Sequence, residues 1–387
     1  MEGSALAGEV EVRFTSGPSA VAAAAREAED RGLRAVCGWP FLSARAAEAV
    51  ADLREVRGLP GGAAALHVAG GPHPTAAPRD VLAAGFDLVV PGEGERSLLA
   101  LLGRVARGED PRAGRGIAWL EGGVLVRAPR EAPVVLDEHP AFSNVRGRAG
   151  PIEITRGCVH ACAYCQTSSV LGARLRHRSL AAVAEAVRAL SDRGMRDVRF
   201  VTPSALSYGA EGEEARPDAV GALLEAARAA GGPRARLFLG TFPSELRPEH
   251  ATPASLALLR RHVANEKLLL GAQSGSDRML AALRRGHGAE HVRAAVRYAL
   301  EAGFRPEVDF IVGLPGEDDE DRAATRRLVA WCADQGARVH GHIFMPLPGT
   351  SLADAPPGRP DPDTVALLAS LEGRGAAFGQ WRRQGAS

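Results

Sequence analysis

Lysine is almost missing from this chain of 387 residues: Lys267 is the single one, and the other 46 of its 47 basic residues are arginine. With alanine and glycine abundant, that imbalance reads as coding bias, not as an arginine-built nucleic-acid face. Net charge is equally scarce. At +1 the chain has no global pull toward nucleic acid or an anionic membrane. No apolar run approaches the ~20 residues of a membrane-spanning helix. The N-terminus, Met1-Glu-Gly-Ser-Ala5, lacks the basic and apolar regions of a secretion signal. A soluble, cytoplasmic protein with no membrane and no nucleic-acid partner is expected.

Cysteine is sparse too, at five residues: Cys37, Cys158, Cys162, Cys165 and Cys332. That is too few for a disulfide scaffold and suits a reducing compartment. What is present is ordinary for a globular protein with a real core, at 45% hydrophobic and 24% charged residues. The length leaves room for two or three domains at ~150 residues each.

Three of the cysteines fall in Arg156-Gly-Cys-Val-His-Ala-Cys-Ala-Tyr-Cys165, with spacing C-x3-C-x2-C. Thiolates are the ligands of iron–sulfur clusters, and a cubane ordinarily takes four. With no fourth cysteine nearby, one iron stays open, much as catalytic zinc keeps an open position. Structural zinc is the competing reading, but it usually pairs a C-x2-4-C with a second such pair of cysteines further on, and none exists here. His160, inside the loop, is expected to point outward.

This loop resembles the signature of the radical S-adenosylmethionine (SAM) superfamily. The resemblance implies a 4Fe–4S cluster on Cys158, Cys162 and Cys165, with SAM chelating the open iron and Tyr164 packing near its adenine.

Upstream, strand-like and helix-like stretches alternate. Strands are expected near Val10–Thr15, Leu33–Cys37, Ala65–Ala69 and Asp87–Val90. Helices are expected near Ala20–Asp30, Ser43–Arg57, Pro78–Ala84 and from Ser97. Such alternation predicts a Rossmann-like (flavodoxin-like) parallel-sheet domain over residues 1–110. Ligands of these sheets bind beyond the carboxyl ends of the strands, where Gly70, Gly71 and Gly92 fall. The segment Gly70-Gly-Pro-His-Pro-Thr75, with Gly85-Phe-Asp-Leu-Val-Val-Pro-Gly-Glu-Gly-Glu95, resembles the cobalamin-binding domain that precedes many radical SAM domains. Gly70, Gly71 and His73 are its candidate contacts: taken alone the glycines read as a tight turn, but beside the radical SAM loop cofactor binding is favoured, while His73, between two prolines, suits a loop-shaping role over a cobalt ligand. The turn Thr15-Ser-Gly-Pro-Ser-Ala20 lacks the Asp and His that many such domains place below cobalt, so cobalamin is expected without a protein nitrogen beneath it, the alternative being that it does not bind.

Residues 111–150 read as a hairpin connector and linker, with strands near Gly116–Leu120 and Val124–Val126 around Glu121-Gly-Gly123. From 151 to 350 six strand–helix units follow, a partial (β/α)6 TIM-like barrel resembling the radical SAM core. The strands lie near Ile152–Thr155, Val198–Thr202, Leu237–Thr241, Leu268–Ala272, Val308–Val312 and Val339–Met345. The clearest helix, Leu180–Arg193, puts Leu180, Val183, Val187 and Leu190 on one face. Thr252-Pro253 is a helix start with cap and first-turn proline. In such barrels the chemistry lies at the strands' carboxyl ends.

There the resemblance implies SAM contacts at Ser204 and Ser207 after strand two, Gln273 and Ser274 after strand four, and Ile311 and Gly313 on strand five. Tyr208, Glu245, His287, His340 and His342 are polar residues near these exits. For each of them, a structural hydrogen-bonding role is favoured over proton transfer. Residues 351–387 read as a short helical tail with one helix near Thr364–Leu371.

As a whole the chain resembles the cobalamin-dependent radical SAM branch. The resemblance implies a methyltransferase acting on an unactivated carbon through a 5′-deoxyadenosyl radical. The substrate, a small molecule or peptide, is not readable. A reductant such as flavodoxin or ferredoxin is the implied partner. Three other functions stay open: a cobalamin-assisted rearrangement, a methylthiotransferase-like reaction, and a non-catalytic cluster or cobalamin sensor. The second lacks its usual extra cysteines and terminal RNA-binding module here.

Overall fold

The computed structural model describes residues 6, 8–143 and 146–384. The chain divides into two compact units, residues 1–134 with 169–171, and residues 135–168 with 172–387.

In the first unit, five strands form one sheet in the order β1 (Val36–Pro40), β2 (Leu66–Gly70), β3 (Leu88–Val90), β4 (Ala118–Glu121), β5 (Val124–Arg127). β1, β2 and β3 are parallel, whereas β4 and β5 are antiparallel. The expected hairpin forms, but its first strand pairs with β3 at Val89↔Ala118, so it extends this sheet instead of standing apart as a connector. Helix Ala46–Gly58 buries Ala49 and Leu53 against this sheet's core, and helix Gly94–Ala106 buries Leu101 and Val105. The fold is Rossmann-like.

The strand expected at Val10–Thr15 does not form, and residues 10–16 lie outside any element. The alternation there is of charge as much as of apolar groups. Glu11 and Arg13 are drawn to helix Pro18–Asp30, through Arg13–Glu27 at 2.6 Å and Arg31–Glu11 at 2.9 Å.

In the second unit the six expected strand–helix units are present. One parallel sheet runs β10 (Arg236–Phe238), β9 (Asp197–Val201), β6 (Ile152–Glu153). A second runs β11 (Lys267–Gln273), β12 (Arg305–Val312), β13 (Arg338–Ile343), β14 (Ala377–Gly379). Parallel bridges Leu237↔Val263 and Leu246↔Leu270 link the segments between β10 and β11. A short antiparallel pair, β7 (Thr155–Arg156) with β8 (Arg176–His177), brackets the cysteine loop. β14 is a correction to the helical tail: after helix Pro362–Gly373, Ala377–Gly379 pairs in parallel with β13. Three residues are too few to show a period of two.

Local chemistry explains the helices. Ser179 caps Leu180–Ser191 by accepting from the Ala182 amide, and Val183, Ala186, Val187 and Leu190 are buried. Leu180, in the first turn, stays exposed instead. Thr252 and Ser255 form a reciprocal capping box ahead of Pro253–His262. β11 buries Leu268, Leu270 and Ala272 and β12 buries Val308, Phe310 and Val312, whereas β13 alternates, burying Val339, Gly341 and Ile343 and leaving His340 and His342 half-buried. Phe200 on β9 and Phe310 on β12 are both fully buried in this core.

Phe200→Ala should therefore lower stability by about 3–5 kcal/mol through lost contacts and a residual cavity. A denaturant titration followed by circular dichroism would check it; an unchanged midpoint would mean the core does not depend on this ring.

Candidate active site: three cysteines on one cavity

The cysteine loop leaves β7 at the carboxyl side of the first strand position. Its path is set by backbone geometry. Gly157 has φ 87°, and a Cβ there would stand 2.2 Å from the Arg174 carbonyl, so only glycine permits the approach. The Cys158 amide donates to the Gly172 carbonyl at 3.1 Å, Ala163 to Leu283 at 3.0 Å, and Cys165 to Cys162 at 3.0 Å. Ala161, between the first two cysteines, is left-handed at φ 45° without being glycine.

These constraints bring all three sulfurs to the wall of one cavity of about 310 Å³. His160, Tyr164, Glu245, Arg247, Gln273 and Arg285 supply most of its polar lining, with Asp309 and His342 at the β12 and β13 wall. Ile311, Phe344 and Leu347 supply apolar surface.

Arg285 is the hub. Its Nη1 lies 3.0 Å from the Tyr164 hydroxyl and 3.6 Å from the Cys162 sulfur. Its Nη2 donates to the Gly271 carbonyl at 2.7 Å and to Glu245 Oε1 at 3.3 Å. Burial opposes the guanidinium charge, but Tyr164 and Glu245 outweigh it and hold Arg285 above the ordinary arginine value. Burial pushes the Glu245 carboxyl upward, with Arg285 opposing. The pair needs Gly271: a Cβ there would fall 1.6 Å from Glu245 Oε1. Arg247 donates to the Arg285 carbonyl and to Glu249 at 2.5 Å, so the turn carrying Arg285 is itself braced.

His160 does not point outward. It lines the cavity, its Nε2 is buried without a hydrogen-bond partner, and burial with Arg247 nearby pushes its pKa down to about 4. It is neutral at pH 7. Burial raises the Cys158 thiol, which a bound metal would reverse, since a coordinating thiol is deprotonated outright.

The remaining candidates divide. Tyr164, Gln273 and Ile311 share the cavity with the cysteines. Gln273 is left-handed at φ 70°, at the register shift that ends β11, and its Nε2 is 3.5 Å from Glu245. Ser204 and Ser207 are buried, with hydroxyls lacking hydrogen-bond partners, but Pro203 is the residue of that turn on the cavity wall. Ser274 is committed elsewhere, to the Thr325 hydroxyl at 3.1 Å. Gly313, at φ 71°, makes room for the Arg359 backbone, 2.6 Å from where its Cβ would be. Tyr208 donates to the Arg178 carbonyl at 2.7 Å, and His287 lies 3.1 Å from Glu249; neither lines the cavity. Arg247, Arg285 and Asp309 went unmarked in the sequence. No spacing rule distinguishes them among so many arginines and acids.

In the first unit, Gly71 (φ 92°) sits at the end of β2, where a Cβ would come 3.1 Å from the Phe41 carbonyl. At Gly70 a Cβ would make only ordinary contact. His73 Nδ1 is 3.1 Å from the Ser43 hydroxyl and its ring packs on Phe41. His67, the other imidazole of this unit, is buried between Trp39 Nε1 and the Gly62 carbonyl. Both imidazoles are thus engaged within the protein.

The donor set at the strand ends fits an iron–sulfur cluster: three cysteine sulfurs on one cavity, a cation beside one of them, and no disulfide among the five cysteines. Residues 152–329 match the radical SAM superfamily, so this part of the chain is a radical SAM domain. Its fold is similar to that of solved cobalamin-dependent relatives. One is the radical SAM methyltransferase TsrM from Kitasatospora setae with tryptophan and a SAM analogue bound, at 20% identity and TM-score 0.68 over 86% of this chain and 66% of that one. The same enzyme with cobalamin and a [4Fe-4S] cluster bound gives 18%, 0.66, 89% and 72%. The cobalamin-dependent SAM radical enzyme OxsB, with aqua-cobalamin and SAM bound, gives 15%, 0.62, 80% and 45%. The chain thus spans only part of each.

Alanine at Cys158, Cys162 or Cys165 should abolish cluster iron and sulfide after anaerobic reconstitution, while Cys37→Ala and Cys332→Ala should leave them unchanged. Iron and sulfide assays with visible absorption decide it, and a full cluster in the triple variant would refute the assignment.

Arg285→Leu leaves the half-buried Glu245 carboxylate unpaired and should cost about 1–3 kcal/mol of stability in the cluster-free protein. Adding Glu245→Gln should recover part of that loss in denaturant titrations. A double variant no more stable than the single one would show that the pairing is not what supports the turn.

Proposed function

We propose that this protein is a cobalamin-dependent radical SAM methyltransferase acting on an unactivated carbon of a small-molecule or peptide substrate. The observation that carries the reading is the convergence of Cys158, Cys162, Cys165, Tyr164, Gln273 and Arg285 on one cavity at the strand ends. Cys158, Cys162 and Cys165 would hold a 4Fe–4S cluster. Tyr164, Gln273 and Ile311 would contact SAM, with Ser204, Ser207, Ser274 and Gly313 shaping the turns behind it. When bound, these groups supply a carbon-centred radical after one-electron reduction, and cobalamin supplies a methyl carrier.

The protein's own contribution is positional and electrostatic. Arg285 brings a fixed positive charge and an N–H to the Cys162 sulfur, and hydrogen bonds to cluster sulfurs are among the determinants of its potential. Glu245 keeps that guanidinium compensated and presents a carboxylate to the cavity. Ile311, Phe344 and Leu347 exclude water, which protects a reactive carbon species from side reactions.

Support for cobalamin is the parallel β1–β2–β3 core with glycines at its carboxyl ends, and the fold shared with chains solved with cobalamin bound. Gly70 and Gly71 would approach the ligand by backbone. His73 is held by Ser43, so it would serve the loop and leave cobalt without a protein nitrogen. A reductant such as flavodoxin or ferredoxin would deliver the electron.

The reconstituted protein should cleave SAM to methionine and 5′-deoxyadenosine under reducing conditions, and Cys162→Ala should lose that activity. With methyl-labelled SAM and cell extract, a labelled product should accumulate with S-adenosylhomocysteine, as mass spectrometry would show. Substrate consumption with deoxyadenosine but no labelled methyl would replace methyl transfer with rearrangement or oxidation.

A further inference from the structure

Asp309 on β12 and His340 and His342 on β13 form a cluster that the cysteine chemistry does not use. β13 pairs with β12 in the register Asp309↔His340 and Ile311↔His342. Residues two apart share a face of a strand, so both imidazoles meet the carboxylate on one side of the sheet. His340 Nδ1 lies 2.9 Å from Asp309 Oδ1 and 3.2 Å from His342 Nε2. The three atoms are all within 4.8 Å of one another.

Protons alone serve this arrangement poorly. His340 Nδ1 faces an oxygen lone pair on one side and the His342 nitrogen on the other. If Nδ1 carries the proton, Asp309 and His342 must share it. If His342 Nε2 carries it, the bare Nδ1 lone pair is left against the carboxylate. A cation satisfies all three at once. Two donors each about 2.1 Å from a metal at 90–109° are about 3.0–3.4 Å apart, close to the two separations seen.

The rings are held in place before any ion arrives. His340 stacks on Phe378 of β14 with centroids 4.4 Å apart and planes 4° apart, and meets His342 edge-on at 4.0 Å. Gly379 lets β14 come this close, since a Cβ there would stand 2.2 Å from the Gly341 carbonyl and 3.0 Å from His340. Asp309 and His342 also line the cavity of the three cysteines.

We propose that Asp309, His340 and His342 form a second metal site, independent of the cluster, that takes one divalent first-row transition ion such as zinc or iron(II). Two imidazoles and one carboxylate are the donor set such ions accept with coordination positions left over. Those positions, beside the cavity, would take an oxygen or nitrogen donor of the substrate and so anchor it. The site stands on these three residues, whatever reaction the cluster performs.

The test uses the full chain with its cluster loaded anaerobically, so that the cysteines are occupied, and zinc as the probe. After exposure to zinc and gel filtration, elemental analysis should find about one zinc per chain with iron unchanged. Absorption spectroscopy at the zinc edge should show nitrogen and oxygen neighbours at about 2.0–2.2 Å and no sulfur near 2.3 Å. His340→Ala and His342→Ala should each lower retention at least ~10-fold, in keeping with loss of a ligand or its support, while the visible absorption of the cluster reports that the fold survives. His342→Gln, closer in shape, replaces His342→Ala if that variant fails to load. Zinc lost from the wild-type protein, zinc retained equally by the variants, or sulfur in its first shell would each overturn the site.

Discussion

A single buried cation organises the cavity. Arg285 bridges the carboxyl end of β11, the acid Glu245, the ring of Tyr164 and the sulfur of Cys162. A guanidinium is the group suited to this, because its planar fork serves several acceptors at fixed angles and stays charged when buried. A lysine would offer a point charge and would tend to lose its proton there. The near absence of lysine thus has one local expression with consequences, whatever its origin elsewhere in the chain.

Taking Arg285 out of water is expensive, and the pairing with Glu245 does not by itself guarantee a net gain in stability. Its geometry is supported from three directions: Gly271 clears space for the carboxylate, Arg247 grips the carbonyl of Arg285, and Glu249 holds Arg247. A binding site can accept such cost because a fixed charge placed in a water-poor cavity acts more strongly than the same charge at the surface. The three cysteines on the same cavity would supply the opposite charge once a metal deprotonates them.

How much of this was readable beforehand follows from the range of each interaction. The cysteine spacing is local, and so is the helix start at Thr252-Pro253; both are legible in the sequence. The parallel strands β9 to β13 are legible as short strand-like stretches alternating with helices. Val10–Thr15 misled because its alternation answered to ion pairs with a helix. β14 was invisible because three residues carry no period. Among site residues, Tyr164, Gln273 and Ile311 sit in stretches with a recognisable place along the barrel. Arg285 and Asp309 depend on contacts across tens of residues, and nothing in their neighbourhood sets them apart. Ser274 and Gly313 sit in the expected stretches too, yet their observed roles are a hydrogen bond to Thr325 and room for the Arg359 backbone.

The backbone carries the same message independently of charge. Among the described residues, three that are not glycine have positive φ: Ala161, Gln273 and Arg284. Ala161 separates His160 from Cys162, Gln273 lines the cavity, and Arg284 precedes Arg285. Each such conformation costs on the order of 1–3 kcal/mol and persists only where surrounding contacts over-determine it. Those contacts are present: Ala163 is tied to Leu283, Gln273 lies in the register shift of β11, and Arg285 is clamped at both ends. Strain spread at random would mark an ill-fitting chain. Confined to three points around one cavity, it marks the place where the fold gives up stability to hold side chains in position for chemistry.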